Sequence, residues 1–326
     1  MKKVNFENAI GERLAHDICE IKGQEVKQVA FKRGHLITAD DHDYLAELGK
    51  QHFFILEEGD EHLVHEEDAA YTMFDTINNG DFTCTNVSMG KISFLANVDG
   101  FFKVDKKLLT DFNYMGEISA ASINNMQYVT KGQEVASMRI IPLFTTTGKL
   151  NQIKNFENAK QMFKISPIEN IKISQITTGS EVANGLIEDG FKSKLEQILD
   201  RYNLSVNDYS VVTDDKSLIE KSILEAKASG AELILVTGGM SVDPDDLTSG
   251  AIKGSGANII TYGTPIIPGS MFLYGVLDGT PILGLPGAVI FETKTAFDLL
   301  LPYALTNTEI SNYEIMEMSV GGMLNG

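Results

Sequence analysis

Ala231-Glu-Leu-Ile-Leu-Val-Thr-Gly-Gly-Met-Ser-Val-Asp-Pro-Asp-Asp-Leu-Thr248 is the stretch on which the reading of the fold turns. Residues 233–237 are apolar, mostly branched and followed by glycine, the pattern of a parallel strand buried on both faces. Gly238 and Gly239 let the backbone turn tightly and bring bare N–H groups toward anything beyond the strand's carboxyl end. Asp243, Pro244, Asp245 and Asp246 then lead into Leu247, Thr248 and Ala251, which reads as a capped helix start. Strand, glycine turn, hydroxyl, acids and helix start together suit an anionic ligand held with a metal. They equally suit an ordinary strand-to-helix connection whose acids serve only as caps.

Strand and helix patterns alternate on both sides of this stretch. Ile171 to Ile176 reads as a strand leading to Thr178-Gly-Ser-Glu181. Ile187, Phe191, Leu195 and Ile198 recur at helical spacing, which predicts a helix over 184–202 with one face inward. A strand at 209–212, a helix at 215–229 and the strand at 233–237 follow. Beyond them come a helix near 246–253, strands at 258–261, 271–277 and 281–284, and a last helix from 288 to 304. The fold class is α/β, with a doubly wound, mostly parallel sheet in the carboxy-terminal half. Ligands of such sheets bind beyond the carboxyl ends of the strands. Thr178–Glu181, Thr237–Ser241 and Gly284-Leu-Pro-Gly287 are the loops that qualify. Residues 238–287 hold 11 of the 29 glycines and five of the eight prolines, so rigid loops poor in side chains crowd into one region. Lys253 is the single basic residue between 228 and 293. An anion there is held by N–H groups and by the hydroxyls of Ser180, Thr237 and Ser241, with a cation bridging to Asp243, Asp246 or Glu181.

The amino-terminal half reads as mixed α+β and rich in strands. A helix is predicted from Ala39 to Leu48, a strand at 52–56, a helix from 69 to 77, a hairpin over 91–105 about Asp99-Gly100, and a strand from 134 to 144. The expected organisation is an amino-terminal region 1–168 with a strand-rich lobe at about 80–145, a ligand-binding domain 169–306, and a tail 307–326. All six histidines fall within the first 65 residues, and those at 42, 52, 62 and 65 read as surface groups in no metal-ligand spacing. A serine–histidine or cysteine–histidine catalytic pair within the carboxy-terminal half is therefore excluded.

Net charge is −18, from 45 acids against 27 Lys and Arg, which argues against nucleic acid or an anionic membrane surface as partner. Two cysteines make no disulfide framework. The opening Met1-Lys-Lys-Val-Asn-Phe-Glu-Asn8 lacks the apolar core of a signal peptide, and no apolar run reaches membrane length, so a cytoplasmic protein is expected.

Thr178-Gly-Ser-Glu181, Thr237 to Thr248, Pro268-Gly269 and Gly284-Leu-Pro-Gly287, in this order and spacing, resemble the molybdopterin-binding domain shared by MoeA, MogA and gephyrin. Ala9 to Asp17 and Lys32-Arg-Gly-His-Leu-Ile37 are similar to the opening of MoeA-type proteins, in a shorter branch without the carboxy-terminal β domain. The resemblance implies molybdopterin or its adenylylated form lying across Thr178, Gly179, Ser180, Thr237, Gly238, Gly239, Ser241, Asp243, Pro268, Gly269, Pro286 and Gly287. It implies Asp246 and Glu181 as catalytic and Mg²⁺-binding acids in hydrolysis of the adenylylated pterin with molybdate insertion. It also implies a homodimer, in which His16, Asp17 or Lys32 of one subunit approaches the pocket of the other. The chain departs from the pattern at Ile267, Ser270 and Met271, where MoeA-type proteins carry lysines about the Pro-Gly element, and at Val320-Gly-Gly-Met-Leu324, which lacks the expected His and Cys. A non-catalytic pterin carrier or sensor is the alternative, followed by a CinA-like nucleotide-processing protein.

Overall fold

Consecutive residues of Leu233–Thr237 point to opposite faces of a sheet, and both faces are buried. Leu233 and Leu235 belong to one apolar cluster, Ile234 and Val236 to another. This is why the run is continuously apolar. The computed structural model in which this is seen describes residues 1–22, 26–241 and 247–323. The chain divides into one unit of residues 1–98, 102–125 and 129–165, and another of 99–101, 126–128 and 166–326.

Elements of the second unit are numbered here within that unit. Its six strands are β1 (Ile173–Thr178), β2 (Asp208–Val212), β3 (Leu233–Thr237), β4 (Asn258–Tyr262), β5 (Leu273–Leu277) and β6 (Thr280–Leu285). They lie in the order β2-β1-β3-β6-β5-β4. β2, β1, β3 and β6 are parallel, with Thr177 opposite Thr237 and Thr237 opposite Leu285, while β5 and β4 run antiparallel at one edge. The chain leaves β1 toward one side and β3 toward the other, which makes the gap between their carboxyl ends the switch point of the sheet. The expected α/β class, mostly parallel and doubly wound, is what the sheet forms.

Helices cover both faces. Phe191, Leu195, Ile198 and Leu199 of α2 (Gly190–Asp200), with Phe297, Leu300 and Leu301 of α6 (Ala296–Leu305), pack in the cluster containing Leu233 and Leu235. Ile219 and Ile223 of α3 (Lys216–Ala228), with Ala251 and Ile252 of α4 (Thr248–Gly254), pack in the cluster of Ile234 and Val236. Each such large side chain contributes about 1.5–3 kcal/mol by leaving water.

Two helices differ from expectation. The helix predicted over 184–202 begins only at Gly190, as α2, after a separate single turn α1 (Ser180–Ala183), because Asp189 caps α2 by accepting the Phe191 N–H at 2.8 Å. Ile187, placed by periodicity on the buried face, is 58% exposed and precedes the helix. The last helix is likewise broken into α5 (Ala288–Phe291) and α6 by a capping box between Thr295 and Asp298. In the expected tail, residues 312–317 form α7 (Asn312–Glu317), whose Ile315 is fully buried in the core of the same unit.

In the first unit, strands 82–84, 91–96, 134–140 and 118–122 form an antiparallel sheet in that order. Phe74 from the helix Glu66–Ile77 packs on Phe94 with ring centroids 4.8 Å apart, in a cluster with Phe82 and Phe112. The hairpin expected about Asp99-Gly100 does not form. Strand 91–96 has both edges occupied, by 82–84 and 134–140, so the strand 100–104 does not pair with it. The strand expected over 134–144 stops at Ile140 and resumes at Phe144–Thr146 beside Leu63–His65.

His42, His52 and His62 are exposed as expected; His65 is not. It caps the helix from Glu66, its Nδ1 accepting the Glu67 N–H at 3.3 Å, with only 4% of its surface exposed and Nε2 unpaired. Burial, reinforced by the Arg33 charge and opposed by Asp68 and Asp17, pushes its pKa down to about 4. The folded state thus holds a neutral imidazole while the unfolded chain takes up a proton near pH 6.5. Stability is intact above that pH and falls as pH drops toward 4, by up to about 3 kcal/mol from this residue. His65→Asn keeps a capping acceptor. Urea unfolding between pH 6.5 and 4.5 should show a shallower loss of stability in this variant than in the wild type.

Candidate functional site

Thr178 and Thr237 end the adjacent strands β1 and β3, and a sheet buried on both sides leaves no water for their hydroxyls. They are satisfied internally. Thr178 Oγ1 lies 3.0 Å from Thr248 Oγ1, and Thr237 Oγ1 donates to Thr177 Oγ1 at 3.0 Å. Thr177 Oγ1 in turn donates to Asp189 Oδ2 at 2.7 Å. Thr237 is 0% exposed, so its hydroxyl fixes the end of the strand and does not present itself to a ligand.

The chain leaves β3 through Gly238 at φ +87°, where an added Cβ would lie 2.2 Å from the Thr178 carbonyl oxygen. Only glycine allows both that backbone conformation and that approach. The loop is then held at two points. Met240 is buried with its tip against Gly284 of β6, where a Cβ would meet Met240 Cε at 2.6 Å. From β4, the Tyr262 hydroxyl donates to the carbonyls of Met240 (3.2 Å) and Ser241 (3.4 Å).

These constraints leave a cavity of about 390 Å³ beyond the strand ends, lined by 238–241, 269–271, 285–288 and Phe191. Its size fits a small-molecule site. Of the residues singled out from sequence, Gly238, Gly239, Ser241, Gly269, Pro286 and Gly287 line it. Thr178, Gly179, Ser180, Glu181, Thr237 and Pro268 do not, and Asp243 and Asp246 lie outside the described residues. Among the described residues no Lys, Arg or His lines the cavity, and its described walls are glycine backbone, two serines, Phe191, Met240, Met271, Leu285, Pro286 and Ala288.

The first loop is tied elsewhere. Ser180 donates both its N–H (2.7 Å) and its hydroxyl (3.0 Å) to Asp214 Oδ2, so a carboxylate of the chain already occupies the donors expected to hold an anion. Sequence reasoning passed over Asp214. Its signal was position, directly after β2 and therefore at the same edge of the sheet. Phe191 was read only as core, although the first apolar residue of a helix that starts at this edge falls beside the ligand site. Glu181 is exposed, and among the described residues no group of three His, Cys, Asp or Glu side chains is placed to hold a metal.

The first unit contains other cavities. One of about 800 Å³ is lined by Asn and Gln side chains, by Leu108, Met115 and Phe156, and by Lys107 and Asp111, which pair with each other. Another, of about 340 Å³, is lined by His16, Asp17, Cys19 and His65. Asp17 accepts the Arg33 N–H at 2.7 Å, and His16 Nδ1 lies 2.8 Å from the Asp17 carbonyl oxygen, the bonding of a tied turn.

The sheet order, the loops after β3 and β6 and the cavity between them define a doubly wound α/β ligand-binding domain. Residues 174–306 match the family described as a probable molybdopterin binding domain, and residues 3–57 match a domain of unknown function. The chain is 27% identical over 139 residues to the molybdopterin molybdenumtransferase of Haemophilus influenzae, covering 40% of this chain and 34% of that protein. It is 31% identical over 123 residues to a putative molybdopterin biosynthesis protein of Methanocaldococcus jannaschii, covering 36% and 27%. The chain thus spans about a third or less of the length of these relatives. A CinA-like protein of Desulfosudis oleivorans is 36% identical over 77 residues, covering 24% and 18%. The solved structure of the molybdopterin biosynthesis enzyme MoaB from a Thermus species aligns with 43% of this chain and 98% of its own, at 23% identity and a TM-score of 0.35. Residues 174–306 thus form a domain similar to the molybdopterin-binding domain of MoeA- and MogA-like proteins.

Two glycines of the cavity should respond oppositely to a methyl group. Gly238→Ala meets the Thr178 carbonyl and a left-handed backbone, and should lose at least about 2 kcal/mol. Gly287, at φ −54° with nothing within 4 Å of an added Cβ, should tolerate alanine within about 0.5 kcal/mol. Thermal unfolding of the two variants checks both.

Proposed function

We propose that residues 174–306 bind molybdopterin through backbone donors and apolar contacts, and that the chain acts as a pterin-binding protein, a carrier or sensor, without inserting molybdate. The observation that carries this reading is the cavity itself. It is walled by glycine backbone and apolar side chains at the carboxyl ends of β3 and β6, with no basic residue among the described residues that line it. Phe191, Met240 and Met271 suit a flat ring, since aromatic faces and thioethers pack favourably against π systems. The N–H groups of 238–241 and 287–288, with the hydroxyls of Ser241 and Ser270, suit the terminal phosphate.

The further steps of the family have less support. Among the described residues no three His, Cys, Asp or Glu side chains are placed to hold Mg²⁺, Asp214 beside the first loop is bonded to Ser180, and Asp246 lies outside them. Ile267, Ser270 and Met271 offer no cation to molybdate or to an adenylyl phosphate.

Anaerobic titration with molybdopterin tests the reading. Saturable binding is expected, weakened by at least about tenfold (1.4 kcal/mol) in Gly287→Leu, at a position where an added Cβ meets nothing within 4 Å. The thermal midpoint of that variant should stay at the wild-type value. Adenylylated molybdopterin given with Mg²⁺ and molybdate should release no AMP. Molybdate-dependent release that disappears in Asp246→Asn would establish an insertase instead.

A further inference from the structure

One carboxylate gathers the polar groups of three parallel strands. Asp189 Oδ1 accepts the N–H of Phe191 at 2.8 Å and so caps α2. Its Oδ2 accepts from Thr177 Oγ1 (2.7 Å), Tyr209 Oη (3.0 Å) and Gln175 Nε2 (3.2 Å). Thr177 also accepts from Thr237, the residue that precedes Gly238. The single side chain of Asp189 is thereby bonded to β1 and β2 directly and to β3 through one hydroxyl. Its other oxygen holds the helix that carries Phe191 into the cavity wall.

We infer that Asp189 is a positioning residue of the pterin site: it fixes Phe191 and, through Thr177 and Thr237, the start of the 238–241 loop, and so sets two walls of the cavity together. The inference rests on the pterin reading of that cavity. Its physical core is that a carboxylate has two acceptor oxygens, one for the cap and one for the strand donors. Gln175 Nε2 donates to Asp189 Oδ2 and to Thr177 Oγ1 (3.1 Å), while its buried Oε1 has no partner, so this side chain too is oriented toward the carboxylate. Lys192 Nζ lies 4.6 Å from the centroid of the Tyr209 ring, covering the outer end of the chain of donors. Burial first, and then the hydrogen bond to Asp189, push the Tyr209 hydroxyl up to about 12, which gives the arrangement a spectroscopic reporter.

Asp189→Asn is the informative substitution. An amide offers one acceptor oxygen, so the variant must give up either the cap or the strand donors while remaining close in size. Molybdopterin affinity should fall at least about tenfold, and the tyrosine assigned by difference with Tyr209→Phe should titrate at lower pH than in the wild type. Ile219→Val removes core volume on the other face of the sheet and should leave both readouts unchanged, which separates positioning from a general loss of stability. Wild-type affinity in Asp189→Asn would overturn the inference. A wild type that binds no molybdopterin would instead sink the pterin reading. Amide exchange at residues 190–194 then decides the positioning claim: at least tenfold faster in Asp189→Asn upholds it, and an unchanged rate overturns it.

Discussion

The passage of the chain from β3 across the end of β1 is the constraint on which the carboxyl edge of this sheet depends. Parallel pairing sets Thr177 opposite Thr237, and the next residue, Gly238, runs against the Thr178 carbonyl at a distance no side chain allows. With the backbones so close, the threonine hydroxyls face each other in a dry interior and must bond among themselves. Asp189 terminates one of these chains, Thr248 the other, and the helices that carry them are located by the same bonds. The cavity is the space left over once strand ends, loop and helix start have been fixed against one another.

The electrostatics of this arrangement are unusual for a domain that takes an anionic ligand. The chain carries a net charge of −18, and none of the described residues lining the cavity is basic. An anion that leaves water without a counter-charge needs several hydrogen bonds to replace its hydration, and oriented backbone N–H groups supply them without repelling the pterin ring. The first loop shows the principle inside the protein. Asp214 is held by an N–H and a hydroxyl of Ser180.

What could be read from the residues, and what could not, follows from which interactions are local. The strand at 233–237 was legible because burial on both faces leaves an unbroken apolar run. The loops after β1, β3 and β6 were legible because Gly179 and Gly238 directly follow the first two strands and Pro286-Gly287 the third. The start of α2 was not. The spacing of Ile187 with Phe191 continues the helical period backward, and the boundary is decided by the bonds of Asp189 to residues distant in sequence. The hairpin at Asp99-Gly100 failed for the same reason, since a local turn signal lost to pairing of 91–96 with 82–84 and 134–140. Thr178, Thr237 and Ser180 were rightly located at the carboxyl edge, yet their hydroxyls serve other residues of the protein, and composition carries no sign of a hydroxyl's partner. Phe191 and Asp214 were overlooked because each is an ordinary core or cap residue by pattern, and acquires its place at the edge only from the topology.

The central claim, that a pterin phosphate is held here by backbone donors and apolar walls without a fixed cation, is tested most directly by the salt dependence of binding. Molybdopterin affinity measured at constant pH between about 50 and 500 mM KCl, across which the screening length falls from roughly 14 to 4 Å, separates the two kinds of recognition. The account predicts an affinity that is unchanged or rises with salt, because the strongest long-range effect is repulsion between the ligand and an acidic protein. A steep fall with salt would mean that lysine or arginine side chains hold the phosphate, and would contradict it.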